Sequence, residues 1–317
     1  MVNMRQFVTG GAGFIGSHLV DRLLGDDRNK VTVYDNLSSG NEEFLAHHKS
    51  NRRLVFIKGD LLDEKALAEA IRGHDFVHHL AANPDIRLGT ARPETDLRQG
   101  TVATFNLLEA MRRAGIRKVA FSSSSVVYGE ASRVPTPEDY GPLIPISLYA
   151  AAKLGAEGLI TAYCHSFDMQ AWIFRFANVI GPRSTHGVIF DFINKLRKDP
   201  EQLEILGNGK QRKAYLTVDD CIDAMLFIVG HAKDTVNIYN LGCEDQVNVT
   251  RIAEIIVEEM GLGNVTFRFT GGERGWKGDV RSMQLAIDRL KALGWSPRTT
   301  SEEAVRAAVR AGLGKKA

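Results

Sequence analysis

Cysteine is scarce in this chain, and its placement excludes more than its number does: Cys164, Cys221 and Cys243 stand far apart, odd in count and without metal-ligand spacing. Such a set builds neither a disulfide framework nor a zinc cluster, so the expectation is core thiols in a reduced, cytoplasmic setting with no metal. No apolar run approaches the about 20 residues that span a bilayer, and no membrane role is expected. A strand-like segment begins by Arg5, which leaves no room for a secretory leader ahead of it. A surplus of one charge is missing too. Forty basic residues against 38 acidic leave +2, which argues against a nucleic-acid surface and confines interest to local basic clusters. Repeats, low-complexity tracts and disordered linkers are likewise absent. At 317 residues the chain has room for one large α/β unit or two modest domains.

What is present is a rhythm. Short β-branched runs alternate with longer helical patterns: strands over 6–9, 31–35, 54–58, 76–80, 118–122 and 171–176, and helices over 14–24, 64–71, 93–113 and 148–166. Alternation of this kind calls for a doubly wound parallel sheet with right-handed crossovers. After residue 176 the rhythm loosens into "NVIGPRSTHGV", a charged helix around "FINKLRKDP", strand-like "EILGNG", two further strand–helix units and an amphipathic end over 301–310. This second part reads as a smaller lobe, interleaved with strands that return to the main sheet around 214–243.

The first strand runs into "FVTGGAGFIGSHL", where Gly10, Gly13 and Gly16 are spaced G-x-x-G-x-x-G between strand and helix. Glycine permits the tight turn, the missing Cβ at Gly13 lets backbone approach a pyrophosphate, and the helix offers its positive N-terminus. About twenty residues on, Asp35 ends the second strand in "VTVYDN"; an acid there bonds both ribose hydroxyls and repels a 2′-phosphate, selecting NAD over NADP. Asp60, ending the third strand, reaches the adenine or caps the helix from Glu64. "HLAA" closes the fourth strand with small residues, as expected where a flat cofactor lies on the strand ends.

The fifth strand ends in "SSSSVVYG", and downstream "SLYAAAK" sets Tyr149 and Lys153 on one helix face. Free tyrosine, with a pKa of about 10, is a poor base at neutral pH; a neighbouring ammonium stabilises the phenolate and makes the pair a proton shuttle. Strand ends are where open α/β sheets hold ligands, which draws the serines into the same site.

Together, "TGGAGFIGSHL", "SSSSVVYG", "YAAAK" and "RFANVIGPR" closely resemble the extended short-chain dehydrogenase/reductase family, in its nucleotide-sugar epimerase and dehydratase branch, from about Arg5 to about Val309. The resemblance implies a Rossmann domain over 1–176 binding NAD and a lobe over 177–317 that mainly binds the nucleotide sugar. It implies a catalytic trio of Ser124, Tyr149 and Lys153, in which Tyr149 takes the proton from a sugar hydroxyl, Ser124 bonds the same oxygen, and Lys153 holds the nicotinamide ribose. The cofactor-binding set it implies is Gly10, Gly13, Phe14, Ile15, Gly16, Asp35, Asn36, Ser38, Gly40, Asp60, Leu61, Leu80, Ala81, Ala82 and Ser122, besides Tyr149 and Lys153. Ser122 and Ser123 read as structural, satisfying strand-end backbone groups, and Ser125 has no assigned chemistry unless it touches the sugar.

One stretch separates two relatives on this scaffold. Sugar 4,6-dehydratases of the family read Thr-Asp-Glu-Val-Tyr-Gly where this chain has Ser124 to Gly129, and use the Asp and Glu as acid and base. Ser125 and Val126 stand at those two positions and cannot do that work. An epimerase needs no second pair.

For the substrate, the resemblance implies Ser124, Ser125 and Tyr149 at the sugar, Asn178 and Arg183 past a strand, and Arg212 clamping the pyrophosphate, a role that suits a guanidinium fork. Asp219 and Asp220 read as caps of a helix beginning near Cys221. "GGERGWKGDV" resembles a segment with a second clamping arginine; here Arg274 lies further from Gly-Asp than usual, with Trp276 and Lys277 between, and Asp279 is the weaker candidate. Val188 and Ile189 in "HGVIFDF" line the pocket over sugar and base, or start a core helix. Where many relatives carry an asparagine against the cofactor, this chain has Gly100, which loosens that contact or shifts it to another residue. "GVIFDF" and "RGWKGD" look most like a prokaryotic, especially archaeal, branch of UDP-galactose 4-epimerase-like proteins. The expected activity is NAD-dependent 4-epimerisation of a UDP-sugar, by default UDP-glucose and UDP-galactose, with UDP-glucuronate, UDP-N-acetylhexosamines and a net oxidoreductase or lyase left open. A homodimer through the helices over 93–113 and 148–166 is expected; the apolar positions Leu107, Leu108, Leu159 and Ile160 are consistent with it, and core packing explains them equally well.

Overall fold

In the computed structural model, which describes residues 4–275, 280 and 282–315, the apolar runs and amphipathic stretches become alternating strands and helices. The first half contains β1 (Met4–Thr9), α1 (Phe14–Leu24), β2 (Asn29–Asp35), a 3-10 turn (Glu42–His48), β3 (Leu54–Lys58), α2 (Glu64–Ala70) and β4 (Phe76–His79). Then come α3 (Ile86–Ala91), α4 (Pro93–Asp96), a π-helical turn (Leu97–Val102), α5 (Ala103–Ala114), β5 (Lys118–Ser124), α6 (Leu148–Ser166) and β6 (Gln170–Phe176). The second half has β7 (Asn178–Ile180), α7 (Val188–Lys198), β8 (Gln202–Ile205), β9 (Arg212–Lys213), β10 (Tyr215–Thr217), α8 (Val218–His231) and β11 (Val236–Leu241). It closes with β12 (Val247–Asn248), α9 (Val249–Met260), β13 (Thr266–Phe269), β14 (Ser282–Met283), α10 (Asp288–Leu293) and α11 (Ser301–Gly312).

Seven strands form one parallel sheet in the order β11-β6-β5-β4-β1-β2-β3. Helices cover both faces of such a sheet, so its central strands are apolar on both sides: Phe7, Val8, Val33 and Val77 have no exposed surface. Each side chain of this size contributes about 1.5–3 kcal/mol by leaving water. Register sets the function-bearing edge. Thr9 is level with Tyr34 and with His79, and His79 with Phe121, so the loops that follow β1, β2, β4 and β5 emerge side by side. Strand order reverses between β1 and β4, the place where open α/β sheets bind ligands.

The chain divides into two compact units: Met1–Val127 with Pro145–Arg175 and Met225–Tyr239, and Tyr128–Ile144 with Phe176–Ala224 and Asn240–Ala317. The first is built on the core of Phe7, Leu67, Leu107, Met111, Ile160 and Ile173. The second packs α7, α9 and α11 around Phe192, Leu203, Ile252, Ile256 and Val305, and carries the small sheets β7–β10, β8–β13 and β12–β9–β14. Of the strands after residue 176, β11 joins the main sheet, whereas β10 pairs with β7. No helix among the described residues is long and apolar enough to cross a membrane.

Two details differ from the sequence reading, and a third decides an alternative that it left open. The helix over 93–113 is interrupted by the wide turn at 97–102, because Gly100 meets α6: a Cβ there would lie 2.8 Å from that of Ala152, and the Thr101 hydroxyl donates to the Ala152 carbonyl at 3.3 Å. Asp219 and Asp220 do not cap a helix at Cys221. The helix starts at Val218, the Thr217 hydroxyl accepts from the Asp220 amide, and the buried Asp220 carboxylate holds the Arg298 amide at 3.0 Å and its guanidinium at 2.5 Å. Finally, Leu107, Leu108 and Ile160 lie in the core of the first unit, with Leu159 packed against it.

Candidate active site

The turn after β1 is made of close approaches. Gly10 sits at φ +70°, where a Cβ would lie 2.6 Å from the Ala81 nitrogen, and a Cβ at Gly16 would lie 2.0 Å from the Gly10 carbonyl oxygen. Neither position admits a larger residue. Gly13 is different: its Cβ would meet only the Gly10 oxygen, at 3.2 Å, so the protein itself leaves that space open. Gly13 is also the N-cap of α1, and no side chain caps the helix. The first-turn amides of Phe14 and Ile15 therefore offer an unneutralised positive end to an anion. A dinucleotide's pyrophosphate fits this cradle.

Asp35, buried at the end of β2, accepts the Ala12 amide on Oδ2 at 3.0 Å and the Leu37 amide on Oδ1 at 2.9 Å. It thus pins the glycine turn to the second strand, and each oxygen keeps a lone pair for a ribose hydroxyl. Burial raises its pKa, with the two backbone amides opposing. Gly40 clears the space beside it, since a Cβ there would lie 3.0 Å from Oδ1. Asp60 is not the cap of α2; Asp63 is, accepting the Ala66 amide. The Asp60 carboxylate instead accepts the Leu62 amide at 2.9 Å and the Asn36 side-chain amide at 3.1 Å, while Asn36 accepts the Ser38 amide. Leu61 is buried, and its carbonyl takes the Asn106 amide at 3.0 Å. Leu80 and Ala81 are moored to Thr9, by its carbonyl and its hydroxyl respectively, and Ala82 is half-buried just beyond.

At the end of β5 the serines divide their tasks. The Ser122 hydroxyl donates to the His79 carbonyl at 3.3 Å, and the Ser122 carbonyl accepts the Lys153 ammonium at 2.5 Å. Ser124 is half-buried and its oxygen accepts the Val126 amide at 3.4 Å; Ser125 is buried. Ser147 caps α6 through the Ala150 amide, which places Tyr149 in the first turn and Lys153 one turn on. Lys153 Nζ lies 5.8 Å from the centre of the Tyr149 ring and 4.7 Å from that of Phe121. Burial brings the Lys153 pKa down to about 8, with the Glu157 carboxylate opposing. For Tyr149, burial and then the Asp96 carboxylate raise the pKa. The phenol keeps its proton unless further positive charge comes close.

The sequence reading passed over Glu157 and Arg175. Glu157, one turn beyond Lys153 on α6, accepts the Ser123 hydroxyl and the Arg175 guanidinium, at 2.7 Å from Nη2 and 3.1 Å from Nε. Both side chains are about 95% buried, at 6% and 5% exposure. The ion pair lies under the serine run and ties β5, β6 and α6 together. The signal available was the four-residue step from Lys153; its partner comes from a strand 18 residues away.

In the second unit, Asn178 donates its side-chain amide to the Ala214 carbonyl at 3.3 Å, and Arg183 adopts φ +64° in the loop after β7. Ile189 is buried in the core and Val188 packs against it, so that Phe190 is the exposed member of this stretch. Arg212 is exposed and lines a groove of about 480 Å³ with Lys210, Asn248, Thr250, Arg251 and Glu254. Arg274 is ion-paired with Glu130 at 2.8 Å. Trp276, Lys277 and Asp279 lie outside the described residues.

The model of the NAD dependent epimerase/dehydratase family matches residues 6–242. The UDP-glucose 4-epimerase of Mycolicibacterium smegmatis is 34% identical over 311 residues, covering 95% of this chain and 96% of that protein. A crystal structure of UDP-galactose 4-epimerase is 43% identical, with a TM-score of 0.88 over 98% of this chain and 99% of that one. A dTDP-glucose 4,6-dehydratase from Streptomyces venezuelae, solved with NAD bound, is 28% identical, with a TM-score of 0.90 over 98% and 97%. This chain matches the backbone of both an epimerase and a dehydratase, so backbone likeness does not separate the two reactions here.

Proposed function

Because the chain belongs to the NAD dependent epimerase/dehydratase family, with NAD as its cofactor, we propose that it is a UDP-sugar 4-epimerase acting on UDP-glucose and UDP-galactose. The observation that carries this reading is an intact Tyr149–Lys153 pair beside a buried Ser125 and an apolar Val126, where a dehydratase needs an acid and a base. NAD, when bound, supplies reversible hydride transfer at carbon 4 of the sugar. The chain's own groups handle the proton. Tyr149 takes it from the carbon-4 hydroxyl, Ser124 holds the same oxygen, and Lys153, fixed by the Ser122 carbonyl, favours the phenolate by its charge. Asp35 holds the adenosine ribose, and the glycine turn with Phe14 and Ile15 holds the pyrophosphate. Asn178, Arg183 and Arg212 serve the substrate's diphosphate end, Arg274 joining them on leaving Glu130, with Phe190 and the half-buried Val188 as the apolar wall. The buried, free cysteines support a reducing, cytoplasmic setting.

Purified protein incubated separately with UDP-galactose, UDP-glucuronate and UDP-N-acetylglucosamine tests the reading. Inversion at carbon 4 of UDP-galactose without net NADH supports it; a 4-keto-6-deoxy product overturns it. Tyr149→Phe lowers turnover by about 10²–10⁴-fold with NAD binding largely intact.

The same reading includes a homodimer. Exposed Leu97, Val102 and Phe105, on the π turn and α5, and Leu148, at the start of α6, are the apolar surface that supports it.

A further inference from the structure

We propose that Asp21, His47 and His48 form a binding site for one divalent transition-metal ion of the zinc class, separate from the cofactor site. Asp21 lies on α1, and the two histidines end the 3-10 turn, whose start is capped by Asn41. Neighbouring side chains on a helical turn point in different directions, yet both Nε2 atoms converge on one carboxylate oxygen, Asp21 Oδ1, at 2.8 Å from His47 and 2.9 Å from His48. The imidazole rings stand 4.2 Å apart between centroids, and the three donor atoms lie within 4.8 Å of one another. His47 is half exposed, which gives an ion a way in, while His48 and Asp21 are held at 17% and 29% exposure.

Zinc binds imidazole nitrogen and carboxylate oxygen at about 2.0–2.2 Å, which puts tetrahedral donors about 3.3 Å from each other. The nitrogens need to move from the oxygen by only about half an ångström to admit the ion. Two imidazoles and one carboxylate suit zinc, cobalt, nickel or copper, whereas magnesium and calcium ask for oxygen donors throughout. Three protein ligands leave the fourth position to water. The ion would clamp the 3-10 turn to α1, on the far side of a loop whose Asn41 amide is already held by the Ala12 carbonyl at 2.9 Å. That loop also carries Asn36 and Gly40, so metal occupancy would stiffen the segment beyond Asp35.

The full chain, freed of metal with EDTA and dialysed, is titrated with zinc chloride by calorimetry, then with cobalt(II) followed by its visible absorption. One zinc per chain at micromolar affinity or tighter is expected, with a melting temperature higher by about 3–6 °C when zinc stands about 100-fold above its Kd. The double variant His47→Gln/His48→Gln, and separately Asp21→Asn, lose the site; each keeps the wild-type circular dichroism in EDTA. His165→Gln, at the exposed end of α6, keeps it. Sub-stoichiometric zinc uptake by the wild type, or undiminished binding in the double variant, overturns the proposal and leaves an ordinary hydrogen-bonded Asp–His pair.

Discussion

Four adjacent serines carry separate tasks because strand geometry points neighbours to opposite faces and the strand end exposes the backbone. Ser122 gives its carbonyl to Lys153, Ser123 sends its hydroxyl under the sheet to Glu157, and Ser124 is left at the rim. The serine run therefore rests on a buried ion pair. Glu157→Gln removes the charge opposite Arg175 and destabilises the fold by about 3–5 kcal/mol. It also removes the pull that keeps Lys153 charged, so the Lys153 pKa falls below about 8 and the alkaline limb of the kcat–pH profile moves to lower pH. A lower melting temperature with an unmoved alkaline limb reduces Glu157 to a purely structural role. The Tyr149–Lys153 pair was legible from context: four residues on a helix is one face, and the strand-end serines together with the glycine turn, not the spacing alone, marked it as chemical. Glu157 was not, because glutamate on a helix is ordinarily solvated and its meaning comes from Arg175, 18 residues on, and Ser123, 34 residues back, which only the fold brings to it.

Among the elements, periodicity located the strands and helices well and missed the π turn. A hydrophobic pattern reports which face of a helix is buried, not how closely another helix approaches. Gly100 and Ala152 nearly touch, and the helical path widens at 97–102 to accommodate them. A larger residue at position 100 has no room there, so the glycine serves packing against α6. For the same reason the pattern left core packing and an interface equally open for the apolar positions. Leu107, Leu108 and Ile160 fill the core, and Phe105, 43% exposed, faces outward beside Tyr163 at 6.5 Å. Phe105→Glu is expected to turn the proposed dimer into a monomer in sedimentation velocity, with the far-ultraviolet circular dichroism unchanged. A wild-type protein that sediments as a monomer sinks the dimer, and a variant that stays dimeric sinks this interface.

At the scale of the whole molecule, two adjacent histidines set the response to acid. His78 and His79 on β4 are both buried, and burial lowers each pKa from 6.5 to about 3, with the Lys153 ammonium adding to the effect at His79. His79 is held neutral between the Thr9 hydroxyl at 2.8 Å and the Thr104 hydroxyl at 3.0 Å. Unfolded, both take up protons near their ordinary pKa of about 6.5, so between that value and about 3 the unfolded chain binds more protons and stability falls as pH falls. The melting temperature should therefore decline from about pH 6.5 downward, before carboxylates titrate, and His78→Gln/His79→Gln should flatten that slope. A flat profile between about pH 6.5 and 5 contradicts this assignment.

The sequence by itself determined the alternating sheet, the glycine turn, the acid at the end of β2 and the Tyr–Lys step on α6, because each depends on local geometry within a few residues. Only the tertiary structure decided that Asp60 faces Asn36 while Asp63 caps α2, that Arg274 meets Glu130, that Arg175 sits beneath the serines, and that Asp21 gathers two histidines. Each of those pairings except the cap joins side chains far apart along the chain, and burial and distance, which set their energies, exist only once the chain has folded.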